Sequence, residues 1–165
     1  MEPISDDLVE ETWQEVAAFP PRRAEREMER IASRQRELLG FIAAYTEDLS
    51  REAGELGFYM FFTIYRMFQK GCAGKIKSIR GHSIERCLDQ NESMLERLDG
   101  AHEKFVERVA KVESSRQPFV MKYLVETLIE APEGDDPVLL TEEEIGVLFL
   151  VLKTVVDVLD RSIKK

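Results

Sequence analysis

The side chains best equipped for chemistry are few: two cysteines, Cys72 and Cys87, and two histidines, His82 and His102. Together they suggest a zinc site, but their successive spacings of 10, 5 and 15 match no zinc-binding arrangement. Positions five apart on a helix point about 140° away from each other, so His82 and Cys87 cannot clasp one ion. A carboxylate-bridged di-iron centre needs two Glu-x-x-His pairs and two further glutamates on facing helices. Asp99-x-x-His102 offers that spacing once, with Gly100 inside it, and His82-x-x-Glu85 runs in the reverse order. The better reading is two surface histidines and a packed thiol. No metal and no cofactor are expected.

Other chemistries fail on equally specific grounds. A serine or cysteine hydrolase needs its nucleophile beside a positioned base, and no Gly-x-Ser-x-Gly elbow is present. Gly71-Cys72-Ala73-Gly74-Lys75 resembles only the tail of a phosphate-binding loop. The full pattern needs glycine where Gln69 stands and a hydroxyl where Ile76 stands. His82 is followed by Glu85 and Arg86 in place of the lysine and glycine usual beside phosphotransfer histidines on acidic bundles. No catalytic residue is assigned.

The elements that would position any site are helices throughout. Ser5, followed by Asp6 and Asp7, is an N-cap, and Leu8, Val9, Thr12, Trp13 and Val16 fall on one face. This amphipathic segment, residues 1–19, must dock on the rest of the domain or on a partner subunit, with which it could exchange. Pro20-Pro21 stops it. Ala24, Met28, Ile31, Gln35, Leu38, Ile42, Tyr45 and Leu49 then alternate steps of four and three. Such a heptad seam predicts one helix of about 28 residues, roughly 40 Å long.

Gly54 and Gly57 suggest a break before the apolar run Phe58–Tyr65, which reads as a third helix ended by Gly71 and Gly74. Ile76, Ile79, Ile84, Cys87, Leu88, Met94, Leu95 and Leu98 stripe a fourth, bent or late-starting at Gly81. Phe105, Val106, Val109 and Val112 predict a short fifth, and Phe119 to Ile129 a sixth ended by Pro132. Residues 131–140 hold two prolines, Gly134 and two aspartates and predict a mobile surface loop. Thr141 and Glu144 form a capping box for a last helix through Ile145, Leu148, Leu152, Val155 and Leu159. Val147–Leu152 is apolar without a gap, which puts that helix at the bundle's centre, with Gly146 admitting a neighbouring backbone. The expected fold is all-α: a single domain over residues 1–165, a helical bundle of about six to seven helices with long antiparallel members.

Composition bounds the partners. The net charge of −9 would repel a phosphate backbone, so nucleic acid is not expected. Residues 1–7 carry no signal-peptide pattern, and no stretch reaches the roughly 18 to 20 apolar residues of a membrane span. Two cysteines suit reduced thiols in the cytoplasm rather than a disulfide framework. Charge is unevenly spread. Residues 66–86 hold six bases against one acid (+5), whereas residues 126–144 hold eight acids and no base (−8).

The expected function is therefore non-enzymatic: a regulatory or adaptor bundle acting through protein–protein contacts, as a homodimer or with another protein. Its candidate interaction residues are the seam set Met28, Ile31, Leu38, Ile42 and Tyr45, and the basic set Lys70, Lys75, Lys77 and Arg80. Two alternatives stand beside it. One is a metal-binding bundle enzyme or carrier using Asp99, His102 and buried carboxylates. The other is an anion-binding module using the basic loop 70–80.

Overall fold

The protein is described here from a computed structural model covering residues 2–73, 76–97, 116–130 and 140–163. Those residues form seven helices and no strand: α1 (Asp6–Ala17), α2 (Pro21–Arg34), α3 (Arg36–Thr46), α4 (Arg51–Gly71), α5 (Gly81–Arg97), α6 (Pro118–Glu130) and α7 (Glu142–Ser162). The all-α bundle is as expected. The predicted fifth helix, Phe105–Val112, and all of the predicted loop 131–140 except Leu140 lie outside the described residues, as do Lys75, Asp99 and His102.

Local signals set most boundaries. Ser5 caps α1, its hydroxyl accepting the Leu8 N–H at 3.2 Å. Pro20 and Pro21 separate α1 from α2, with Pro21 occupying the first helical turn, where its missing N–H costs nothing. α5 starts late, at Gly81.

Three expectations are corrected. The long seam helix is broken at Gln35, whose φ of −123° and ψ of 51° are not helical. The side chain explains the break, because Gln35 is wholly buried and bonds backbone groups of the 76–80 segment. Gly54 and Gly57 do not interrupt α4, which starts earlier, at an N-cap made by Ser50. Gly57 serves a different purpose: a Cβ there would lie 2.9 Å from Cδ2 of the buried Leu148, so its absence lets α4 and α7 close up. Gly146, expected to admit a backbone, has open space where its Cβ would be.

Side-chain contacts fix the helix directions. Glu15 to Arg66 pairs α1 antiparallel with α4, alongside Phe19 to Phe62. Gln35 to Tyr65 and Thr46 to Gly57 do the same for α3 and α4. Cys87 to Arg161 and Asn91 to Thr154 set α5 antiparallel to α7. Ser50 to Glu144 and Gly57 to Leu148 make α4 and α7 run in the same direction.

α7 is the central member, packing on α3, α4, α5 and α6. Leu148, Val151, Leu152, Val155 and Leu159 are fully shielded from solvent. At about 1.5–3 kcal/mol for each such side chain, this one helix supplies a large share of the hydrophobic stabilisation.

Glu144 joins the start of α7 to the start of α4. It completes the capping box with Thr141, and its other oxygen accepts from the Ser50 N–H at 3.0 Å and hydroxyl at 2.7 Å. Donation from the Thr141 N–H, then from Ser50, holds its pKa down to about 2 from the usual 4.5. The folded state thus favours the carboxylate. Its contribution is complete above pH 4.5 and is lost as pH falls towards 2. Glu144→Gln is expected to cost about 1–2 kcal/mol in urea titrations at pH 7 and almost nothing at pH 2. An equal loss at both pH values would refute the charged cap.

Candidate functional site

Two surfaces stand out against the buried bundle, one aromatic and one basic. The first is a groove of 590 Å³ between α1, α4 and α6. Its walls include Trp13, Tyr59, Phe119 and Tyr123, and its charged members are Asp6, Glu10, Glu126 and Lys122. Trp13 is 41% exposed, Tyr59 44% and Phe119 37%. These are three of the five large apolar side chains left exposed among the described residues, the others being Tyr45 and Ile129. Scattered exposed apolar residues are ordinary, but three aromatics lining one hollow are a patch. Burial pushes the Tyr123 hydroxyl up to about 12 and raises that of Tyr59, so both stay neutral.

α1 is held in place beside this groove by a charge cluster on its other side. Glu15 accepts from Arg66 at 2.9 Å and pairs with Lys70, which also lies 4.0 Å from Glu11. Burial pushes the Glu15 carboxyl up, but Lys70 and Arg66 more than offset it and hold its pKa below the ordinary value. Arg23 stacks 4.2 Å over the Phe19 ring at the turn into α2.

The second surface runs along one side of the α2–α3 junction and the start of α5. Arg34, Arg36, Lys77 and Arg80 line one hollow there, with Glu37 the acidic member. Glu37 is partly occupied, accepting from the Gly81 N–H at 2.8 Å.

The sequence candidates divide between core and surface. Ile31, Leu38 and Ile42 are buried in the chain's own core, so the seam is used within the chain. Met28 is half-buried against that core, and Tyr45 is exposed with its ring 5.0 Å from Phe41. Lys70 belongs to α4 and the Glu15 cluster, apart from Lys77 and Arg80, which share a hollow. Trp13 is placed on the apolar face of α1 by its spacing, yet it lies at the edge of that face and stays exposed. The groove escaped the sequence reading because its walls come from three helices, whose relative placement no local period records.

No three His, Cys, Asp or Glu side chains among the described residues come close enough to hold a metal ion. His82 is exposed on α5. Cys87 is buried against Arg161, at 3.4 Å, and burial raises its thiol pKa, the opposite of what a reactive cysteine needs. None of the helices of described residues is long and apolar enough to cross a membrane. No known family, curated protein or solved structure matches the chain.

Proposed function

We propose that this chain is a non-enzymatic interaction module that pairs with a second copy of itself through the α1–α4–α6 groove. The carrying observation is the clustering of Trp13, Tyr59 and Phe119 around one hollow. Tryptophan and tyrosine are the side chains most enriched among residues that dominate binding energy. A two-fold dimer needs one patch to complement itself. This patch carries both an exposed indole, that of Trp13, and the hollow it borders. It also carries both signs of charge, Lys122 against Asp6, Glu10 and Glu126, so that antiparallel apposition brings unlike charges together. The unpaired thiols of Cys72 and Cys87 suit a reducing compartment, and we place the dimer in the cytoplasm on that ground.

The assignment is tested by sedimentation equilibrium of the full chain. The wild type is expected to dimerise, and Trp13→Ala to raise the dimer dissociation constant at least about thirtyfold, the effect of losing one hot-spot aromatic. Tyr45→Ala, exposed elsewhere, is expected to leave it unchanged. A wild-type monomer at the highest attainable concentration would overturn the proposal, as would a dimer indifferent to Trp13.

A further inference from the structure

We infer that a 340 Å³ cavity between the start of α5 and the end of α7 binds a small molecule through a phosphate monoester group. Its polar lining is Ser78, Arg80, Ser83, Arg86, Arg161 and Ser162. Three arginines, all solvent-exposed, and three serines thus line one hollow, and none of the described lining residues is acidic. In a chain of net charge −9, three arginines lining one hollow form a local excess of positive charge that an anion between them would neutralise, although Arg80 also borders the hollow that holds Glu37. Arginine forks match phosphate oxygens in paired hydrogen bonds, and the Ser78 and Ser83 hydroxyls add further donors, that of Ser162 being given to the Leu159 carbonyl. The volume lies near the lower end of ligand pockets, which suits a small organic phosphate rather than a large cofactor.

The cavity is built, not incidental. Residues 76–80 have no helical structure of their own, yet side chains from the α2–α3 junction and α3 hold them. Gln35 donates to the Lys77 carbonyl at 2.8 Å and accepts from the Ile79 N–H at 2.8 Å. Glu37 accepts from the Gly81 N–H. These three bonds fix the backbone on both sides of Ser78 and Arg80 before any ligand arrives. On the opposite wall, one nitrogen of Arg161 donates to Gln90 at 2.8 Å, which orients the guanidinium while leaving its other nitrogens uncommitted to that bond. Arg80 and Arg86 make no ion pair among the described residues. The three arginines come from the 76–80 segment, α5 and α7, so their convergence is produced by the fold.

This site is separate from the aromatic groove, and its test is independent of oligomeric state. Calorimetric titrations of the full chain at constant ionic strength would use glycerol 3-phosphate, inorganic phosphate and sulfate as probes. Binding of glycerol 3-phosphate is expected, stronger than that of sulfate. Arg86→Ala and Arg161→Ala should each weaken it at least about tenfold, the loss expected for a charge-assisted hydrogen bond. Glycerol 3-phosphate is expected to bind more tightly than inorganic phosphate, and the reverse order would overturn the monoester assignment. Arg51→Ala, in an exposed ion pair on α4, should change nothing. The inference fails if no probe binds, or if Arg51→Ala weakens binding as much as the cavity variants do.

Discussion

Lys153→Ala is expected to destabilise the domain by about 3–5 kcal/mol, the largest loss foreseen for any single charged residue here. Lys153 is only 3% exposed, at the middle of the central helix. Its ammonium donates to Asn91 Oδ1 at 2.9 Å and to Asp157 Oδ2 at 2.8 Å. Asn91 in turn donates to Thr154 at 3.1 Å and to the same Asp157 oxygen at 3.1 Å. Removing the ammonium leaves the Asn91 amide oxygen without its donor and the Asp157 carboxylate without its countercharge, held among the described residues by the Asn91 N–H alone. Truncation to alanine also opens a cavity where the lysine stem packed.

Lys153→Met separates these two effects. It keeps most of the stem's volume and removes only the charge, so it should be less costly than alanine. A double-mutant cycle of Lys153→Met with Asp157→Leu, followed by urea unfolding, should reveal strong coupling, the double variant being more stable than the two single losses predict. Asp157 is the partner to pair with because removing both charges leaves neither stranded. A Lys153→Met variant within about 0.5 kcal/mol of wild type, or strict additivity in the cycle, would show the network contributes little.

This network also shows where local pattern stops being informative. The stripe Ile145, Leu148, Leu152, Val155 and Leu159 is legible because each member lies three or four residues from the next. It locates the face of α7 turned to the core, and the unbroken run Val147–Leu152 indicates a central position. But α7 is covered on nearly every side: Val151, Lys153, Thr154, Val156, Val158 and Asp160 are buried as well. A helix packed by four others has only a narrow solvent face to set aside, so a lysine or aspartate off the stripe loses its usual meaning. Its satisfaction depends on residues such as Asn91, 62 positions away. Asp160 behaves alike, accepting at 2.9 Å from Gln117, whose own carbonyl oxygen accepts from the Ile4 N–H and ties the chain's start to the bundle. The capping signals, by contrast, were legible, because Ser5, Thr141 and Glu144 act within one helical turn of their own positions.

Gln35→Leu carries the second large effect, expected at about 2–4 kcal/mol despite nearly equal side-chain size. Read as a seam residue, glutamine is a tolerable polar intrusion in a run of apolar knobs, and leucine should improve the seam. The fold reverses that expectation. The Gln35 amide is fully buried, donates to the Tyr65 hydroxyl at 3.1 Å and to the Lys77 carbonyl, and accepts from the Ile79 N–H. Leucine would strand two backbone groups and a phenol in an apolar site. It would also remove the reason for the helix to break, since the non-helical geometry at residue 35 is what aims the amide at the 76–80 segment. Hydrogen exchange should therefore show faster exchange at Ile79, with helix α4 little changed. The same variant should weaken glycerol 3-phosphate binding without altering self-association, because the segment it releases carries Ser78 and Arg80 and lies apart from Trp13. A Gln35→Leu protein as stable as wild type, with Ile79 still protected, would mean that the continuous seam governs this region and that the amide's three bonds are dispensable.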